Sequence, residues 1–154
     1  MLTAAYSNRA RWLTAIHEAG HAEVAISLGA EVTRCTIEPP ETWISGHLSA
    51  SDKAVYIMAG IVAQCREDGC EVGSYFTDGV AYHREEWQAC GGELERYVKG
   101  DGDGDDSAHL MRLMEEHGLD LEDVQLAVDD ATDLLDDRWP EVQARARELA
   151  EAKH

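Results

Sequence analysis

At 154 residues, 44% of them hydrophobic, the chain is long enough to form one domain, 1–154, with its own core. Its 13 Lys and Arg stand against 31 Asp and Glu, and the formal charge of -18 argues against binding nucleic acid by displacing counterions from phosphates. No apolar run reaches the ~18 residues of a membrane span, and Met1-Leu2-Thr3-Ala4-Ala5-Tyr6 lacks the form of a signal peptide, so a cytoplasmic protein without a membrane partner is expected.

From Asn8 to Leu28 the apolar residues Leu13, Ile16, Ala19, Ala22, Val24, Ile26 and Leu28 recur at helical spacings, with Ser7 or Asn8 able to cap the start and Gly29 suited to the exit. Glu31 to Glu38 alternates with β-branched residues until Pro39-Pro40, and Trp43 to Leu48 can return beside it as a second strand. Ser51-Asp52 then caps an apolar helix from Lys53 toward Arg66, with Gly69 beyond it. Glu71 to Gly79 reads as a loop and Val80 to Lys99 as a weaker helix interrupted at Gly91-Gly92. An acidic loop, Gly100 to Ser107, leads into a helix over Ala108 to His117 with Leu110, Leu113 and Met114 on one face. The last third, Asp120 to Lys153, is helical, with a break and restart at Trp139-Pro140.

These elements predict a mainly α protein with a small antiparallel β-sheet, an α+β fold. The four cysteines, Cys35, Cys65, Cys70 and Cys90, have neither the pairing nor the spacing of a zinc knuckle and are expected as reduced thiols. The four tryptophans, Trp12, Trp43, Trp87 and Trp139, are expected to pack rather than to form a substrate platform.

The chemistry concentrates in His17-Glu18-Ala19-Gly20-His21. Residues four apart on a helix share a face, with Cβ atoms roughly 5–6 Å apart, so two imidazoles can bind one Zn²⁺. Glu18, beside the first ligand, can act as general base on a metal-activated water and pass the proton to the leaving amine. Random placement of the seven histidines among the glutamates gives roughly 0.03 such matches in a chain of this length, so the pattern carries weight.

Thr14-Ala15-Ile16-His17-Glu18-Ala19-Gly20-His21-Ala22, continuing through Val24-Ala25 and a β segment ending Thr36-Ile37-Glu38-Pro39, resembles the peptidase domain of FtsH-type ATP-dependent zinc proteases. Gly46-His47-Leu48 and Ala59-Gly60-Ile61-Val62-Ala63-Gln64 extend the resemblance, with Gln64 standing where that family usually has Glu. The resemblance implies a zincin-like fold and a third zinc ligand from an Asn-Asp pair at the start of a later helix. The similar stretch here is Asp105-Asp106-Ser107-Ala108-His109-Leu110, which makes Asp106 the expected ligand, with Asp105 and Asp103 as alternatives. An EF-hand reading of Asp101, Asp103 and Asp105 fails, because the sixth position is Asp106 rather than Gly and the twelfth is Arg112 rather than Glu. His47, His83, His109, His117 and His154 are left outside the site, His109 being the closest in sequence to Asp106.

Two functions from different classes follow. The first is a zinc endopeptidase with one Zn²⁺ per chain held by His17, His21 and Asp106, Glu18 as general base, and an unstructured peptide or protein tail as substrate. No phosphate-binding Gly-x-x-x-x-Gly-Lys-Ser/Thr run is found, so the peptidase is expected to act independently of ATP on its own. The substrate would add as a strand along Thr42 to Leu48. The second is a catalytically silent zincin-fold binding protein whose acidic surface meets a basic partner.

Overall fold

The structure, a computed structural model, describes residues 2–69 and 105–152. The loop and weaker helix expected between Glu71 and Lys99 lie outside these residues, as do Cys70, Cys90, His83, Trp87, Asp101, Asp103 and His154. The described residues form helices and a two-stranded antiparallel sheet in the order α1 (Leu2–Ser27), β1 (Glu31–Ile37), β2 (Pro40–Ser45), α2 (Ala50–Asp68), α3 (Asp105–His117), α4 (Leu121–Asp137) and α5 (Trp139–Glu151). No helix among them is long and apolar enough to cross a membrane.

Helix α1 begins earlier than Asn8 because nothing before Gly20 interrupts it: Leu2 to Ser7 contains no Pro or Gly and two alanines that favour the helix. It ends as expected, with Gly29 at a φ of 91°, a left-handed turn that a residue with Cβ adopts only at a cost. Its buried face, Ala15, Ile16, Ala19, Ala22, Val24 and Ala25, is mostly small. Against it lies α2, which buries Ala59, Gly60 and Ala63 among larger residues. Small residues on both helices let the two backbones approach closely: a Cβ placed on Gly20 would stand 2.6 Å from the Ala63 Cβ and 3.0 Å from the Ala59 carbonyl oxygen.

The sheet returns sooner than the alternation suggests. Glu38 and Pro39 alone make the turn, so β2 starts at Pro40, paired with Ile37, and ends at Ser45, paired with Glu31. Proline is tolerated there as the first residue of a strand. The register shifts between Val32 and Arg34, where Thr33 is the extra residue of a bulge.

Helix α2 is capped two residues before the expected Ser51-Asp52. The Ser49 side chain accepts a hydrogen bond from the Asp52 backbone N–H at 3.1 Å, satisfying one of the unpaired donors of the first turn. Its apolar face, together with Leu110 and Leu113 of α3, Val124, Ala127, Val128, Ala131 and Leu135 of α4, and Val142 and Ala146 of α5, closes one core with α1. A reciprocal capping box between Asp120 and Asp123 opens α4. The expected break falls at Arg138, with Pro140 in the first turn of α5, where a missing N–H costs nothing.

Glu23 on α1 is only 3% exposed and takes hydrogen bonds from two guanidinium groups, Arg138 at 2.7 and 3.2 Å and Arg145 at 2.6 Å. This pairing compensates the burial of its charge and fastens α5 along the helix that carries the motif.

Trp43 departs from expectation. It is 57% exposed on β2 with the Arg34 guanidinium 5.9 Å from its ring centroid, whereas Trp12 and Trp139 pack at the core margin. A two-stranded sheet has only one face to bury, and the alternation that turns Thr42 inward sends its neighbour outward. The Cys35 thiol lies half-buried beside Thr42, and Cys65 is buried in the core.

Candidate metal centre

The helical repeat of α1 puts the two imidazoles together with their ring centroids 4.8 Å apart and the Nε2 atoms 3.2 Å apart. Asp106, in the first turn of α3, brings Oδ2 to 2.9 Å from the His17 Nε2 and 3.0 Å from the His21 Nε2. Two nitrogens from one turn of α1 and one oxygen from a residue 85 or more positions further along the chain thus form a nearly equilateral triangle. The first turn of a helix is also where the backbone dipole favours a carboxylate. The side chain of Asp105 is not among the described residues, and Asp103 lies outside them.

The opposite ring nitrogens determine what this triangle can do. The His21 Nδ1 lies 2.8 Å from the Tyr56 carbonyl oxygen, which can only accept, so Nδ1 carries the ring proton. The His17 Nδ1 donates in the same way to the Gln64 Oε1 at 2.9 Å. In each neutral ring Nε2 is then a bare acceptor, and both point at a carboxylate oxygen that is also an acceptor. Three lone pairs converge with no donor among them, an arrangement that calls for a proton or a cation.

Titration reflects this. Burial alone would lower the His21 pKa, but the charge and hydrogen bond of Asp106, then the charge of Glu18, outweigh it and push the imidazole up to about 9. Burial alone would raise the Asp106 pKa, but the charge of His21 once that ring is protonated, with hydrogen bonding between the carboxylate and the imidazoles, holds it far below the usual carboxylate range.

A divalent zinc fits the donor set better than a shared proton does. Tetrahedral ligand atoms about 2.0–2.1 Å from zinc stand about 3.3–3.4 Å from one another, close to the edges of 2.9, 3.0 and 3.2 Å found here. The Gly60 backbone supplies room: a Cβ there would lie 2.4 Å from the His21 Nε2 and 2.5 Å from the His17 Nε2. Each imidazole also has an acceptor behind it, the usual support for a metal-binding histidine.

Glu18 completes the neighbourhood. His17, Glu18 and His21 keep their candidate ligand atoms within 4.8 Å of one another. Yet the Glu18 Oε2 is 4.0 Å from the His17 Nε2, farther than Asp106, while its Oε1 accepts a hydrogen bond from the Thr42 hydroxyl at 2.7 Å. Asp106 therefore fits the third ligand position, and Glu18, 6% exposed, stands beside the triangle rather than in it.

His109 does not join this group. It lines a surface groove of about 240 Å³ between α2 and α3 with Lys53, Ile57, Arg112, Leu113 and Glu116. His47 and His117 are exposed elsewhere. The Tyr56 carbonyl and Thr42 carry no signal in the sequence, since any residue type can offer a carbonyl and a lone Thr has no motif; Gln64 stands out there only as a departure from the usual Glu, without its role behind His17. Comparison with protein-family models, with curated proteins and with solved structures finds no match.

Proposed function

We propose that this chain is a zinc-dependent peptidase with a zincin-like arrangement, in which His17, His21 and Asp106 hold one metal ion and Glu18 is the general base. The observation that carries the reading is the convergence of three acceptor atoms within 3.2 Å of one another, with both Nδ1 atoms already engaged. The likeness of the His17 to His21 segment to FtsH-type peptidases points the same way.

When bound, zinc would supply a Lewis acid that acidifies water and polarises a scissile carbonyl. The rest falls to the chain. Asp106 would offset one of the two positive charges, and the ionised Glu18 beside it the other. Glu18 takes a proton at Oε2, the oxygen on the side of the triangle, and returns it to the departing amine. Its burial excludes competing water and strengthens both steps. Among the described residues β2 pairs only with β1, so its other edge can accept an extended peptide by main-chain hydrogen bonds. An unstructured segment is the substrate such an edge admits.

Metal analysis of the purified protein, paired with a peptide-library cleavage assay on wild type and Glu18→Gln, tests the proposal. One zinc in both proteins and cleavage by the wild type alone is the expected result. Cleavage that persists in Glu18→Gln, or a chain that takes up no zinc, would overturn it. Stoichiometric zinc with no cleavage by either protein would favour the silent binding protein.

A further inference from the structure

We infer that Thr42 is a positioning residue for Glu18, dividing the carboxylate into an anchored oxygen and a working oxygen; this rests on the proposed role of Glu18 as general base. Thr42 lies in the middle of β2, paired with Cys35 of β1, and its hydroxyl is 2.7 Å from the Glu18 Oε1 and 3.2 Å from the Glu18 carbonyl oxygen. A hydroxyl has one proton to give, and the shorter contact to a charged acceptor takes it. The Cys35 thiol, 3.7 Å from the same carbonyl oxygen, is available to donate there. Burial pushes its pKa up and so keeps it an S–H donor.

The anchor is itself held. The Tyr56 hydroxyl donates to the Thr42 carbonyl oxygen at 3.0 Å, while the Tyr56 carbonyl oxygen accepts from the His21 Nδ1 at 2.8 Å. One residue of α2 therefore fixes both a metal-facing imidazole and the strand that orients the base. With Oε1 tied to Thr42, only Oε2 remains on the side of the donor triangle, 4.0 Å from the His17 Nε2. A carboxylate free to turn about its last torsion would present either oxygen in many orientations; the hydroxyl selects one.

Thr42→Val keeps the shape and the strand preference and removes only the donor, while Thr42→Ser keeps the donor. Steady-state kinetics should show kcat reduced by about tenfold to a hundredfold in Thr42→Val with KM and zinc content unchanged, and largely restored in Thr42→Ser. Tyr56→Phe should give a smaller loss in kcat. A second readout needs no activity: in the metal-free protein, the side-chain carboxyl ¹³C resonance of Glu18 should move in Thr42→Val and stay in Thr42→Ser. Cleavage by the wild type, its loss in Glu18→Gln, and an unchanged kcat in Thr42→Val would overturn this inference and leave the peptidase standing. No cleavage by the wild type would overturn both, and an unmoved carboxyl resonance in Thr42→Val would remove the anchor whatever the activity.

Discussion

The Gln64 Oε1 stands 2.9 Å behind the His17 Nδ1 and thereby decides which nitrogen of that ring faces Asp106. A neutral amide holds the tautomer but lends the imidazole little extra basicity, whereas a carboxylate would draw the Nδ1 proton and strengthen the opposite lone pair. Gln64→Leu should weaken zinc binding by about 10- to 100-fold, and Gln64→Glu should tighten it. Competition titration with a zinc chelator measures both; equal affinities in all three proteins would mean that the amide plays no part in metal binding.

Gly60 and Gly20 offer a contrast between a site and a seam. Alanine at Gly60 gains about 1 kcal/mol in helix propensity, but its Cβ would press on the Nε2 atoms of both imidazoles at 2.4 and 2.5 Å. Gly60→Ala should therefore fold and lose zinc. Gly20→Ala meets Ala63 and the Ala59 backbone instead and should lose about 1–3 kcal/mol of stability by forcing α1 and α2 apart. Zinc content and urea unfolding of the two variants separate the effects; a Gly60→Ala protein with full zinc would show that the rings can retreat.

What could be foreseen here depended on distance along the chain. The two histidines were legible because a helix turns four residues of sequence into neighbours, and the break at Pro140 because proline forbids a continuous helix. Asp106 lies 85 residues from His21, and no spacing rule reaches that far; only the family likeness suggested it. The true cap of α2 carried a signal that competed with another: Ser49 three residues before Asp52 is itself a cap pattern, but Ser51-Asp52 sits closer to the apolar run. Trp43 shows the limit of composition, since a large apolar side chain packs only if its strand turns it inward.

Without metal, the donor triangle should leave its mark on stability against pH. The His21 pKa is raised to about 9, above its value in an unfolded chain, so its contribution is whole below about 6.5 and is lost as pH rises through 9. The Asp106 pKa is lowered, so its contribution is present above about 4 and is lost as pH falls. Urea midpoints in chelator should form a plateau near pH 5 to 6.5 with a decline on either side, and Asp106→Asn should flatten both declines. Zinc must displace the His21 proton, so its affinity should climb as pH rises toward 9. Parallel stability profiles for wild type and Asp106→Asn would contradict the coupling.

The Glu23 cluster makes an asymmetric prediction, because its members are unequally buried. The Glu23 side chain is 4% exposed, while Arg138 and Arg145 keep 32% and 29% of theirs in solvent. Removing the carboxylate leaves two guanidinium groups that can turn to water, so Glu23→Gln should cost little beyond the lost hydrogen bonds, about 1–3 kcal/mol. Removing both arginines strands a buried anion, for which about 3–5 kcal/mol is expected. Either arginine alone can still pair with Glu23, so the single variants should sum to less than the double. Denaturant unfolding of Arg138→Ala, Arg145→Ala, the double variant and Glu23→Gln gives the comparison. A double variant no less stable than Glu23→Gln would show that water reaches Glu23 and that the cluster fastens α5 by packing rather than by charge.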